Sequence, residues 1–441
     1  MKNSTWTIPD DGEIREILAD RIDARRDGMG AVAGIIDEHG QRVVAHGAMS
    51  STDDRVPDGD TVFEIGSITK AFTALALADM VIRGEVTLDD PVVKYLPAGV
   101  SMPARGGRQI TLIDLATHTS GLPRRPGNMT LSDWSNPYAD YTVEQLHGFL
   151  SGYRLRRNIG ETHAYSNLGF GLLGHVLSLR AGVSYETLIR ERITGPLGMA
   201  NTAITLSADM RKRMAVGHDQ TLAPVANWDF QALAGAGALR SSANDLLAFL
   251  AAELGYLKTP LKSAMAAQLD PRRPAARGDL QALGWVISTD PSGDTVWHGG
   301  ATGGYRCFVV FDRERRRGVV LLTNCASTGY DDVPFHLLTG RARAAPSGER
   351  VRAALGAEAL ERFAGRYRFS PEASLVVTRR GARLFAQLTG QGPFEVFPES
   401  PTRVFWRVVD AQATFEIGPD GGVTGLVLHQ NGRDLPARRE D

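Results

Sequence analysis

Residues 66–83 read GSITKAFTALALADMVIR and run into Gly84. The stretch has helical spacing, is apolar on almost every side, and is stopped by a glycine. A helix of that kind belongs inside a core, so its first turn is held rigidly. Ser67 and Lys70 stand on that turn. Residues three apart are neighbours on one helix face, which brings the Lys70 amine within reach of the Ser67 hydroxyl. Burial and the positive end of the helix dipole both disfavour an ammonium there, which predicts a neutral, basic lysine. The same dipole favours negative charge building up beside Ser67 during acyl transfer. A hydroxyl is a weak nucleophile at its free pKa, and an adjacent base is what it needs.

Alone, Ser-x-x-Lys is weak, because a capping serine followed by a surface lysine reads the same way. Two features count against that reading. Lys70 is one of very few lysines in a chain whose 49 basic residues are overwhelmingly arginine. It also sits among Ala, Phe, Leu and Met, where a lysine costs stability unless it has a partner or a task.

Two further clusters follow along the chain. Tyr165-Ser166-Asn167 immediately precedes an apolar helix predicted over Leu168–Arg180. A phenol beside a base can relay a proton, and an asparagine can bond both substrate and lysine. A loop tyrosine with Ser/Asn helix capping would look alike. The third cluster, Trp297-His298-Gly299-Gly300-Ala301-Thr302-Gly303-Gly304, enters a strand. Its glycines allow close backbone approach and a strand edge offers an N–H; a Gly-rich turn with a chance histidine is the bland alternative. The order Ser-x-x-Lys, Tyr-x-Asn, His-x-Gly, each in fitting context, is improbable by accident.

Together the three motifs resemble the class C β-lactamase, D-alanyl-D-alanine carboxypeptidase and penicillin-binding-protein superfamily, and most closely its β-lactamase-related serine hydrolases. Flanking patterns carry the same resemblance: Val62-Phe63-Glu64-Ile65, Leu88-Asp89-Asp90-Pro91-Val92 with Tyr95-Leu96-Pro97, Leu115 through Pro123, and Pro196-Leu197-Gly198-Met199. It spans residues 30 to 335, and Ile110 through Pro123 is similar to the carboxypeptidase/endopeptidase branch. The resemblance implies Ser67 as nucleophile, Lys70 and Tyr165 as the acid/base pair, and Asn167 as the amide contact. His298 and Gly300 stand where a β-lactamase has Lys and Gly of Lys-Thr-Gly, and the backbone N–H groups of Ser67 and Ala301 would form the oxyanion hole. Histidine in place of that lysine argues against an efficient β-lactamase and weakens the expectation of a free-carboxylate substrate. His118, in the Leu115–Pro123 stretch, is read as a satisfied buried histidine.

Outside the motifs, the pattern predicts an amphipathic helix over 13–27 and a hairpin of Ala31–Asp37 and Gln41–Ala45 turning at His39 and Gly40. Four later strands are predicted at Leu283–Ser288, Thr295–His298, Tyr305–Phe311 and Gly318–Thr323. Strands, then helices, then strands predict an α/β (α+β) fold: an antiparallel sheet built from both chain ends, flanked by helices and carrying a helical subdomain. The polar stretch RARAAPSGER at 341–350 predicts a boundary, with a catalytic domain over 1–345, a linker over 346–355 and a second domain over 356–441. After a short helix near 351–363, alternating runs such as Ser374–Thr378, Arg383–Leu388, Val404–Val409 and Val423–His429 predict a small all-β barrel of about eight short strands. This tail resembles the lipocalin-like domain that some members append, and it suggests support for the cleft or for a homodimer.

A formal net charge of −1 gives no hint of nucleic acid or an anionic membrane as partner. Cys307 and Cys325 exclude a disulfide framework and read as buried thiols. No His or Cys cluster suggests a metal, and no cofactor is expected. The polar N-terminus, without an apolar signal core, predicts a cytoplasmic protein. The expected activity is therefore that of a serine hydrolase acting through a Ser67 acyl-enzyme on an ester, a D-residue-containing amide or a short peptide. Acyl transfer, including peptide cyclisation, uses the same intermediate. A non-catalytic acyl- or peptide-binding module is the alternative from another class.

Overall fold

The computed structural model describes residues 6–129, 135–270, 273–275, 278–290, 293–341, 353, 355–370, 373–389, 391–406, 411–419, 421–430 and 433–440. The chain forms two compact units, Met1–Ala326 with Tyr330–Ala342, and Arg343–Asp441 with Ser327–Gly329. The linker expected over 346–355 lies largely outside the described residues.

The first unit is organised by an eight-stranded sheet. Its order is Gly40–Gly47, Gly30–Asp37, Arg317–Thr323, Arg306–Asp312, Gly293–Ala301, Val286–Asp290, Leu280–Gln281 and Arg273–Pro274. Every pairing is antiparallel, and the two chain ends meet in register from Ala31 opposite Thr323 to Ile36 opposite Gly318. The central strands alternate between two buried faces, the pattern of a sheet covered on both sides. Ala31, Ala33, Ile35, Val319 and Leu321 pack with Ile14, Leu18 and Leu337, while Val32, Ile36, Val320 and Leu322 join the core of Phe72, Leu75 and Leu250. Gly34 lets helix Ala243–Glu253 settle on the sheet, since a Cβ there would lie 3.0 Å from Leu247.

Three predicted elements differ in detail. The N-terminal helix is α over Asp11–Ala19, capped by Asp10, and continues as a π turn over Asp20–Ala24. The strand expected over Leu283–Ser288 starts only at Val286 and runs to Asp290, after a separate short strand Leu280–Gln281, because Gly284 turns the chain at φ +71°. A Cβ on Gly284 would meet the Lys70 carbonyl oxygen at 2.6 Å, so this turn is moulded onto the serine helix. The short helix near 351–363 is confined to Ala357–Glu361.

One buried group carries a measurable cost. Glu253 is 3% exposed, and neither carboxylate oxygen has a hydrogen-bond partner among the described residues. Burial pushes its carboxyl up to about 8, the Arg313 charge opposing it. A carboxyl raised in the fold favours the protonated native state. Its stabilising effect is complete below the unfolded value and is lost as pH rises toward 8. Glu253→Gln is expected to raise the melting temperature by several degrees at pH 8 and hardly at all at pH 5, as read by calorimetry. Equal shifts at both pH values would refute this.

The second unit is a closed barrel of eight antiparallel strands from Gly365–Ser370 to Arg433–Glu440. Leu375, Val377, Leu384, Ala386, Leu426 and Leu428 alternate inward, giving the period-2 pattern legible in the sequence. Phe363 stacks on Phe415 at 4.2 Å between ring centres, and the Tyr367 hydroxyl donates to the Phe363 carbonyl at 2.8 Å. The predicted run Val404–Val409 is a strand over Arg403–Trp406, and 407–410 lie outside the described residues. Among the described residues no helix is long and apolar enough to cross a membrane.

Candidate active site

Ser67 lies on a 3-10 turn, Gly66–Ile68, that leads into helix Thr69–Ile82. Gly66 enters the turn at φ +48°, a conformation that glycine adopts without strain. The helix is buried from Thr69 to Met80, whereas Ser67 is only half-buried and so open to a substrate. Lys70 is fully buried, and its Nζ has three neighbours: Ser67 Oγ at 2.9 Å, Asn167 Oδ1 at 3.0 Å and the Ala236 carbonyl at 2.6 Å. The Tyr165 hydroxyl donates to Ser67 Oγ at 2.8 Å. Two motifs that are 98 residues apart in sequence thus share one hydroxyl.

Local structure explains each position. Ser166 caps helix Asn167–Ala181, accepting from the Gly169 N–H at 2.8 Å and donating to the Pro123 carbonyl at 2.6 Å. That cap aims Asn167 and Tyr165 toward Ser67. Asn167 Nδ2 donates to the Tyr138 hydroxyl at 2.9 Å, so the amide oxygen is the end that faces Lys70. The loop Gly235–Ala238 lies under the lysine. Its Gly235 carbonyl accepts from Thr73 Oγ1 at 2.8 Å while Ala236 accepts from Lys70. Glycine is needed at 235 because a Cβ would press on the Phe170 carbonyl and on Gly174 at 2.8 and 2.9 Å.

Strand Gly293–Ala301 closes the site on the other side. A Cβ on Gly66 would stand 2.8 Å from the Ala301 nitrogen, and one on Gly300 would be 1.9 Å from the Ile65 carbonyl and 3.3 Å from the Ser67 nitrogen. The strand therefore lies directly on the serine turn, with the Ser67 and Ala301 amides side by side. Because these are backbone-to-backbone contacts, no rotamer change relieves them. Gly300→Ala is expected to cost about 1–3 kcal/mol by overpacking and to slow acylation at least tenfold. Thermal melts and active-site labelling test it; an unchanged labelling rate would refute it.

Electrostatics separates the groups. Burial, reinforced by the Arg124 charge, holds Lys70 well below the ordinary lysine value. Burial pushes Tyr165 up to about 12 against the opposing Arg124 charge and the Ser67 hydrogen bond. Burial and the Lys70 charge bring His298 down to about 3, against the hydrogen bond to Gly299. His298 Nδ1 lies 2.8 Å from the Gly299 carbonyl, which places the ring proton on Nδ1 and leaves Nε2 as a lone pair. His118 is buried, accepts the Ser166 N–H at Nδ1 at 3.1 Å, and packs its ring 4.4 Å from that of Tyr165. It is a satisfied histidine, as read from the sequence, and it also backs the tyrosine.

The sequence reading missed Tyr138, the Ala236 carbonyl and Arg124. Tyr138 stacks on Phe230 at 4.7 Å and lies 5.7 Å from Trp228, forming an aromatic wall from two loops. Cavity size would not have found the site: a separate cavity of about 1060 Å³, lined by Tyr141, His175, Tyr185 and Gly235 among others, includes neither Ser67 nor Lys70. Both cysteines are buried and neither is in a disulfide, and burial pushes the Cys307 thiol up to about 12. Among the described residues no group of three or more His, Cys, Asp or Glu side chains could hold a metal ion.

Comparison with known proteins identifies the family. Residues 17–342 match the family described as beta-lactamase. The chain belongs to the beta-lactamase family. Residues 349–439 match a domain of unknown function, DUF3471. Over 344 residues the chain is 30% identical to the D-alanyl-D-alanine-carboxypeptidase/endopeptidase AmpH of Escherichia coli (strain K12), covering 72% of this chain and 87% of that protein. Over 422 residues it is 27% identical to penicillin-binding protein 4* of Bacillus subtilis (strain 168), covering 89% of this chain and 91% of that one. Among solved structures, a beta-lactamase/D-alanine carboxypeptidase from Yersinia pestis superposes with a TM-score of 0.64 at 26% identity, covering 71% of this chain and 92% of that chain. A class C beta lactamase from Rhodobacter sphaeroides gives 0.62 at 28% identity, covering 71% and 94%. This beta-lactamase-family chain is thus a serine hydrolase by kinship, and its fold is that of class C beta-lactamases.

Proposed function

We propose that the protein hydrolyses an ester or a D-residue-containing amide through an acyl-enzyme on Ser67. The observation that carries this reading is the unbroken chain Tyr165 hydroxyl, Ser67 Oγ, Lys70 Nζ, with links of 2.8 and 2.9 Å. Asn167 Oδ1 and the Ala236 carbonyl can only accept. They take two N–H bonds from a neutral Lys70, which leaves the amine's lone pair facing Ser67. Ser67 receives the Tyr165 O–H and points its own proton at that lone pair.

As Oγ bonds the substrate carbonyl carbon, its proton passes to Nζ. The Ser67 and Ala301 amides receive the developing oxyanion. The leaving group departs with the Tyr165 phenolic proton, leaving a phenolate beside the Lys70 ammonium that holds the Ser67 proton. Water then enters and bonds the acyl carbon as its proton passes to the Tyr165 phenolate; the ester bond to Oγ breaks, Oγ takes the Lys70 proton, and the acid is released. Tyrosine is the relay and lysine the base because their environments push them to opposite roles, one kept protonated and one kept free.

The direction of the Lys70 shift sets the pH dependence. Its active form is the unprotonated one, so kcat/KM is expected to fall with unit slope as pH drops through its lowered pKa. Tyr165, up at about 12, adds no basic limb in the working range. A bell whose basic limb lies below pH 9 would contradict this assignment. The central test is intact mass after mixing with a p-nitrophenyl ester and, separately, with an N-acyl-D-dipeptide. Acyl mass on the Ser67 peptide from either substrate supports the reading and reports the class cleaved; turnover with no Ser67 adduct, even on rapid quenching, opposes it.

A further inference from the structure

The strand that holds His298 offers no cation. Its Nδ1–H is used by the Gly299 carbonyl, and Nε2 is an acceptor, so this side chain repels a carboxylate rather than binding it. Arginines elsewhere at the site are engaged. Arg240 is buried with Glu64 and Asp229 at 3.3 Å each, and Arg306 is paired with Asp331. Arg124 differs. Its backbone is pinned, the carbonyl accepting from the Asn167 and Leu168 amides at 3.0 and 3.2 Å. Its side chain is exposed, with Cζ 5.0 Å from the centre of the Tyr165 ring. Among the described residues no acceptor bonds its guanidinium. The charge therefore sits at the mouth of the cleft, one ring and one hydrogen bond from Ser67 Oγ, with all five N–H donors available.

We infer that Arg124 is an anion subsite of the Ser67 cleft, holding a carboxylate on the substrate that the β-lactamase-type lysine would otherwise take. This deepens the reading of Ser67 given above by naming the class of substrate, a carboxylate-bearing ester or peptide, and the residue that selects it. Three features favour guanidinium for the task. It is permanently charged, it binds a carboxylate through two parallel N–H bonds, and it needs little ordering because the stack on Tyr165 already orients it. Its position also couples binding to chemistry. A carboxylate neutralising Arg124 relieves the charge that helps keep Lys70 unprotonated, so the substrate makes its own base slightly stronger.

The test separates binding from acylation. In a Ser67→Ala background, which cannot turn ligand over, titration calorimetry compares N-acetyl-D-alanyl-D-alanine with its C-terminal amide. The carboxylate is expected to bind more tightly, and adding Arg124→Gln is expected to reduce that preference by about 10- to 100-fold, the size of one lost charge-assisted hydrogen-bond pair. Arg124→Lys should restore part of it. No preference for the carboxylate in the parent, or a preference that Arg124→Gln leaves intact, overturns the assignment. Covalent labelling of the wild type reports on Ser67 independently: its failure with the binding preference intact rejects the nucleophile and keeps the subsite.

Discussion

Ser67→Ala is expected to abolish covalent labelling by a fluorophosphonate and to lower ester turnover by about 10⁴-fold or more, the scale of removing a nucleophile that acts as one unit with its base. The fold should survive. Ser67 is half-buried on a turn whose conformation is set by Gly66 and by the strand lying on it, and the Tyr165 segment is held independently by the Ser166 cap. Its loss removes the Tyr165 and Lys70 bonds and leaves space that water can enter. The melting temperature should therefore stay within a few degrees of the wild type. Equal labelling of both proteins would remove Ser67 from the mechanism and move the binding-module reading to first place.

Lys70→Met has the second largest effect. The side chain keeps its length and loses the amine, so acylation is expected to slow by about 10²- to 10⁴-fold, the usual contribution of a positioned general base. The acidic limb of the pH profile should vanish with it, because the group that titrates is gone. Stability offers a second readout from opposing causes. A buried amine is costly, and methionine removes that cost. The Asn167 and Ala236 oxygens then lose their donor. These effects offset, and a change in melting temperature of a few degrees in either direction is expected. A variant that keeps both its rate and its acidic limb would show that another group takes the Ser67 proton.

Much of the architecture was legible because it depends on local periodicity. The apolar helix after Ser67, the hairpin at residues 30–47 and the alternating runs beyond residue 365 each report which face is buried. Such patterns survive any arrangement of neighbours. Element ends were less legible. Leu283 reads as strand by composition, yet Gly284 turns the chain because the backbone must fit over the Lys70 carbonyl. That requirement comes from another segment, and composition does not carry it.

The sequence by itself determined the two fold types and picked out the candidate site residues in their order, Ser67 and Lys70 on one helical turn, Tyr165 and Asn167 before a second helix, His298 through Ala301 on a strand. Spacing along a helix or strand is a property of the chain and needs no partner. Only the tertiary structure decided what each of these groups can do. Lys70 is held well below the ordinary lysine value because the fold buries it, with Asn167 and Ala236 from distant segments at its Nζ. His298 becomes a neutral acceptor because burial and the Gly299 carbonyl fix its tautomer, and Arg124 is an exposed cation because no acceptor among the described residues bonds its guanidinium. Protonation and availability depend on desolvation and on neighbours in space, and those exist only once the chain has folded.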